Sequence, residues 1–220
     1  MAGGLTHLEQ TRLFKAALTI PAGKATGSVS GFPVLLVTQN FPSSIFDSDG
    51  ANPSQNGGGD LRFSADEAGF EPIPLDIRQW VTDTDPANAQ AAVVVRVPTL
   101  TASADQVIYV WWGADTVQAQ PAVTDSLGRN ACYDALVAGA EGAVYANGDL
   151  TDRTGNGWDG TKHGAVLDVQ GLWGPAWQFD AAGKLISADA PVKNVPYTLS
   201  GLGRVDLADR FNFCVVAFLT

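Results

Sequence analysis

The segment 106–112 reads QVIYVWW, and after its first residue every side chain is β-branched or aromatic. Such side chains lose rotamer freedom in a helix and pack well on a pleated surface, so the run is read as a strand. Adjacent Trp111 and Trp112 must then point to opposite faces of the sheet. One is expected in the core. The other is expected to meet solvent, a second module or a partner.

Weaker runs of the same kind precede it. Residues 12–20 (RLFKAALTI) stop at Pro21. Residues 31–39 (GFPVLLVTQ) are a continuous apolar stretch, suited to a strand buried on both faces. Residues 60–64 (DLRFS) alternate Leu61 and Phe63 with Arg62 and Ser64. Residues 72–80 (PIPLDIRQW) put Ile73, Leu75 and Ile77 on one face and Asp76 and Arg78 on the other. The prolines there favour a sheet edge or a strand start. Residues 91–97 place Val93, Val95 and Val97 together. Twenty-four glycines and twelve prolines supply turns between the runs, as in a sandwich or jelly roll. Residues 48–59 (SDGANPSQNGGG) form a long polar loop, long enough to be functional or mobile.

Beyond Gly113 the character changes, and the module boundary is expected near Gln120. Residues 131–140 (ACYDALVAGA) are the one decent helix candidate. Residues 149–160 read as a Gly/Asp-rich loop. Short strand signals follow at 165–169, 176–180 and 184–186. Residues 210–219 alternate Phe211, Phe213, Val215, Ala217 and Leu219 on one face, as a sheet-closing strand would.

Composition narrows the classes. A formal net charge of −10 repels phosphate backbones and anionic lipid, so neither nucleic acid nor membrane is expected as a partner. The opening MAGGLTHLEQTRLFK has no long apolar stretch, so no signal peptide is expected. No apolar run approaches the ~18 residues of a membrane span. Cys132 and Cys214 read as buried thiols packed as small hydrophobes, and spacing does not show whether they meet.

Five ordered motifs carry a resemblance. They are Thr19-Ile20, Phe32-Pro33-Val34-Leu35-Leu36, Gly57-Gly58-Gly59-Asp60-Leu61-Arg62-Phe63, Arg96-Val97-Pro98-Thr99-Leu100 and Tyr109-Val110-Trp111-Trp112-Gly113. Over residues about 10 to 115 the chain resembles a β-sandwich domain family of unknown function, found in phage virion and bacterial surface proteins. The resemblance implies a sandwich used for binding or assembly, and it carries over no catalytic residue. Downstream, Asp152-Arg153-Thr154-Gly155-Asn156-Gly157 and Gly171-Leu172-Trp173-Gly174-Pro175-Ala176-Trp177-Gln178-Phe179-Asp180 are similar to the opening of a laminin-G or concanavalin A-like sandwich. Too few residues follow for a complete one, so a truncated segment is expected.

Candidate chemistry is sparse. His7 and His163 are the two histidines. His7 sits in an N-terminal arm and His163 in an expected turn, and neither reads as catalytic. No G-x-S-x-G elbow occurs, and neither cysteine has a catalytic signature. Gly155, Gly157 and Gly160 fit G-x-G-x-x-G, but the flanks lack the strand and helix of a dinucleotide site. Asp47, Asp49 and Asn52 share one loop, and Asp149, Asp152, Asn156 and Asp159 share another. Loop carboxylates and amides suit Ca²⁺, which takes 6–8 oxygens, and the Asp149–Asp159 loop is the calcium candidate. Trp158, Trp111, Trp112 and Trp173 are the candidate binding aromatics, since indole faces anchor both sugars and protein interfaces.

The expectation is therefore a mainly β chain with at most one or two short helices. It comprises an N-terminal arm (1–11), a β-sandwich or jelly-roll-like module (12–119) and a smaller β-rich module (120–220). The expected role is structural, not enzymatic: a capsid-decorating or tail-associated virion protein of a tailed phage, homo-oligomeric and partnered by other virion proteins. The alternatives are a carbohydrate-binding adhesion module contacting surface glycan and a glycan-cleaving enzyme.

Overall fold

The structure is a computed structural model, and it describes residues 8, 11–137, 150–151, 159–163, 166–171, 174–179 and 184–187. The strands are β1 (Phe14–Ile20), β2 (Val29–Val37), β3 (Arg62–Ser64), β4 (Pro72–Ile73), β5 (Leu75–Val81), β6 (Gln90–Leu100) and β7 (Gln106–Trp112). Helix α1 (Arg129–Val137) follows, then β8 (Gly160–His163), β9 (Val166–Gly171), β10 (Gly174–Phe179) and β11 (Lys184–Ser187). The mainly β expectation holds. One antiparallel sheet has the order β1-β7-β3-β4 and the other β2-β6-β5.

The QVIYVWW strand is β7, central in its sheet. It pairs with β1 from Phe14↔Trp112 to Ile20↔Gln106, and with β3 through Phe63↔Val110. Its inward side chains Ile108, Val110 and Trp112 share one core with Val93, Val95 and Val97 of β6. Two sheets enclosing a common core make a sandwich. Phe41, Phe46 and Trp80 extend that core with edge and tilted ring contacts 4.8–6.0 Å apart.

Residues 72–81 pass from one sheet to the other. β4 pairs with β3 through Phe63↔Ile73, while β5 pairs with β6 through Leu75↔Val95. Pro74 is the corner. It has no N–H to lose there, and its carbonyl accepts from Arg96 N at 3.0 Å.

One strand expectation is corrected. The apolar run at 31–39 is not the strand buried on both faces. It forms β2, an edge strand on which Phe32 stays 41% exposed. β6 lies centrally, with Val93, Val95 and Val97 in the core and Val94 under α1. Continuous apolarity therefore failed to distinguish an edge from a centre, although Pro33 within β2 fits an edge. Over 72–80 the expected faces hold, with Ile73, Leu75 and Ile77 on the core side and Asp76 and Arg78 on the other, where both reach Tyr133. A β-bulge between Ile77 and Gln79 inserts Arg78 as an extra residue. Trp80 is thereby turned inward, onto the same side as Ile77.

Residues 120–133, expected in a second module, pack on this sandwich. Leu75 N donates to Leu127 O at 3.1 Å, and Gln120 Nε2 donates to Gly57 O at 3.0 Å. Helix α1 starts at Arg129, slightly before the expected start, and covers the outer face of the β2-β6-β5 sheet. Cys132 and Tyr133 pack on Val94 and Leu35. The Cys132 thiol is buried, with Sγ 3.4 Å from Val94 O. Cys214 lies outside the described residues. Further on, β9 pairs with β10 and β8 with β11, each pair antiparallel. His163 was expected in a turn. It is instead the last residue of β8, opposite Lys184. The expected strand at 210–219 lies outside the described residues.

A polar contact fixes α1. Tyr133 OH donates to Asp76 Oδ2 at 2.6 Å and accepts from Arg78 Nη2 at 2.8 Å. Asp76 is a carboxylate only 3% exposed, and Arg78 Nε lies 3.4 Å from it. Burial, then the adjacent Asp76 charge, raises the Tyr133 pKa, so the phenol stays a proton donor. Tyr133→Phe keeps the ring and removes both bonds. The expected loss is about 1–3 kcal/mol in urea unfolding, with faster hydrogen exchange across α1. Unchanged stability and unchanged α1 protection would show that helix docking does not depend on this contact.

Candidate functional site

The loop at 48–59 is neither open nor loosely held. Trp112 Nε1 donates to Asn52 O at 2.9 Å, and Trp80 Nε1 donates to Ser54 Oγ at 2.6 Å. Gln55 Nε2 donates to Thr116 O at 2.7 Å, and Gln118 N returns a bond to Gln55 Oε1 at 2.9 Å. Gly59 is required by close approach: a Cβ there would lie 1.8 Å from the Gln118 carbonyl oxygen.

Asp60 closes this loop from inside. Its carboxylate is fully buried. Oδ1 accepts from Gln55 N at 3.0 Å and Oδ2 from Gly113 N at 2.9 Å. Its carbonyl accepts from Arg12 Nε at 2.8 Å. Arg12 continues to Gln118 Oε1 at 2.7 Å. Arg62 donates to the carbonyls of Leu61 and Gly59 at 2.6 and 3.0 Å. Burial lowers the pKa of both arginines, and the Asp60 charge opposes it. The sequence reading missed this cluster. Asp60 and Arg62 stand in one of the five motifs, but nothing in the local pattern marks Arg12 as their partner.

Neither candidate tryptophan of β7 presents a face to solvent. Trp112 is 4% exposed and stacks obliquely on Phe14, with ring centres 5.8 Å apart. Trp111, on the opposite face, is 2% exposed. The expectation that one of the pair faces outward gives way here to a local cover. Gly69 lies close to both the Trp111 ring and Leu8, Lys15 Nζ sits 5.4 Å from the ring centre, and Trp111 Nε1 donates to Ser64 Oγ at 2.7 Å. Trp158 and Trp173 lie outside the described residues. So do Asp149, Asp152 and Asn156 of the calcium candidate. Asp159 is exposed, directly before β8, and a strand rather than a helix follows Gly160.

The other acidic loop is tied up in turns. Asp47 Oδ1 accepts from Asp49 N at 3.2 Å, and Asn52 offers its carbonyl to Trp112. Among the described residues, no group of three or more His, Cys, Asp or Glu is placed to hold a metal ion. Among them also, no helix is long and apolar enough to cross a membrane.

A groove of about 200 Å³ lies along β5. It is lined by Leu75, Asp76 and Ile77 of that strand and by Gln120, Pro121, Val123 and Arg129. The described parts of the chain thus include two polar clusters centred on buried carboxylates, Asp60 and Asp76, and this small groove. Both clusters bind elements of the fold to each other through hydrogen bonds. Comparisons with known protein families, curated proteins and solved structures find no match for this chain.

Two outcomes test this geometry. Asp60→Asn places an amide N–H₂ against one of two backbone donors and strips countercharge from buried Arg12 and half-buried Arg62. The expected loss is roughly 3 kcal/mol in urea unfolding at neutral pH, whereas a change within experimental error would mean the cluster adds nothing to stability. The second concerns Asp66. Burial alone would raise its pKa, but backbone N–H bonds from Glu71 at 2.7 Å and Phe70 at 3.1 Å outweigh this and lower it. A folded pKa below the unfolded one adds stability that is present above roughly pH 4 and lost as pH falls through the lowered folded value. The Glu71 and Phe70 amides are expected to lose exchange protection in that acid range and not between pH 5 and 8.

Proposed function

We propose that the protein is a virion structural component of a tailed phage, capsid-decorating or tail-associated, acting by protein–protein assembly. One observation carries the reading. The residues that bear the family resemblance are the ones that build the scaffold. Asp60 and Gly113 bond each other across the loop. Gly59 makes the close approach to Gln118. Leu36, Phe63, Val97, Leu100, Val110 and Trp112 fill the core. A motif made of core and cross-tie residues encodes a platform, and a platform works through the surface it displays. The net charge of −10 keeps such a platform soluble and favours a basic docking partner.

The decisive measurement uses particles lacking the protein, incubated with the purified chain and re-isolated by sedimentation, with copy number counted by mass spectrometry. Saturable co-sedimentation is expected, at hundreds of copies for shell decoration or three or six for a tail component. A compact monomer that stays in the supernatant overturns the proposal.

A further inference from the structure

We propose that the groove along β5 accepts the carboxylate end of an extended polypeptide chain, which adds to the free edge of this strand. β5 is an outer strand of its sheet, and an outer strand presents unpaired N–H and C=O groups. The chain covers that edge at both ends. Leu127 O takes the N–H of Leu75. At the other end Gly57 N donates to Trp80 O, and Thr82 N donates to Asn56 Oδ1.

Ile77 lies between these covers. Arg96 N bonds Pro74 O, so the alternation of an antiparallel ladder turns Pro74 and Asp76 toward β6. By the same alternation Leu75 and Ile77 direct their backbone groups outward. Leu75 does so, onto Leu127. No described residue takes the outward groups of Ile77, and the groove opens at that point.

Its walls suit a chain end. Pro121 and Val123 offer apolar side chains to an added strand, while Leu75 and Ile77 turn theirs into the core and present backbone to the groove. Arg129 supplies the charge. It stands in the first turn of α1, where no acidic residue offsets it. A cation at the positive end of the helix dipole creates local positive potential on an acidic protein. Arg129 Nε donates to Asn130 Oδ1 at 3.3 Å, and its terminal nitrogens suit a bidentate carboxylate. Asp76 also borders the groove, but its carboxylate is matched by Arg78 and Tyr133. At about 200 Å³ the groove is smaller than the roughly 300–1,000 Å³ of a drug-sized site. It fits the last residue or two of a chain. The inference holds whether or not the chain is a virion component.

The test titrates ¹⁵N-labelled full-length protein with the peptide acetyl-Val-Thr-Val-Val bearing a free carboxylate, with its C-terminal amide, and with acetate. Saturable shifts at the Ile77, Val123 and Arg129 amides are expected for the free acid. Binding is expected to weaken at least tenfold for the amide, and acetate is expected to leave Ile77 unmoved. Arg129→Gln should bind the acid and the amide equally weakly while keeping the native spectrum. Val123→Trp, at a position 48% exposed, should block the groove without touching the core. No saturable shift at Ile77, equal affinity for acid and amide, or full reproduction of the shifts by acetate would each overturn the proposal.

Discussion

The buried carboxylate of Asp60 is the contact on which the first sheet, the glycine-rich loop and the chain's way into β1 all depend. A fully buried charge is tolerated only when its lone pairs and its countercharge are both supplied. Backbone N–H groups of Gln55 and Gly113 fill the lone pairs, and Arg12 and Arg62 stand close enough to feel the charge. The requirement acts in reverse as well. Gln55 must hold the loop in place, Gly113 must follow β7 at a fixed position, and Arg12 must precede β1. One side chain thereby sets the relation of segments separated by tens of residues.

That dependence explains why the loop at 48–59 is packed although its composition suggests mobility. Polar, glycine-rich sequence is compatible with a flexible linker and with a segment that must pass close to other backbone. Gly59 against the Gln118 carbonyl decides for the second. With the loop held, the indole N–H groups of Trp80 and Trp112 find acceptors at Ser54 and Asn52, so two large rings enter the core without an unsatisfied donor.

Much of the strand order was legible, because β-branched and aromatic runs between glycine and proline turns have a local physical cause. QVIYVWW is β7 residue for residue, and AAVVVRV lies within β6. What failed needed information beyond one strand. Whether β2 or β6 is central depends on which partners flank it, and an apolar run does not encode that. The outward face of Trp111 is covered by Gly69 and Lys15, which lie far from it in sequence. Strand β8, GTKH, is short and polar and is defined by its pairing with β11. The groove was invisible for the same reason: it forms where Pro121, Val123 and Arg129 return to β5.

The bulge in β5 shows how one extra residue serves both faces of a sheet. Ile77 and Trp80 are three positions apart, so an unbroken strand would send them to opposite sides. Both belong to the core side, and the inserted Arg78 shifts the register between them. Arg78 itself stays on the outer face, where it reaches Asp76 and the Tyr133 hydroxyl of α1. The same local irregularity thus brings the indole of Trp80 into contact with Phe41 and Phe46 and supplies the cation that balances a buried carboxylate beneath the helix. Pairing the same residues in regular register, without the bulge, would break this arrangement. It would expose Trp80 or bury Arg78, and either result leaves a large apolar surface in water or a charge without its partner. The interior packing of the sandwich and the docking of α1 are therefore set by one backbone feature.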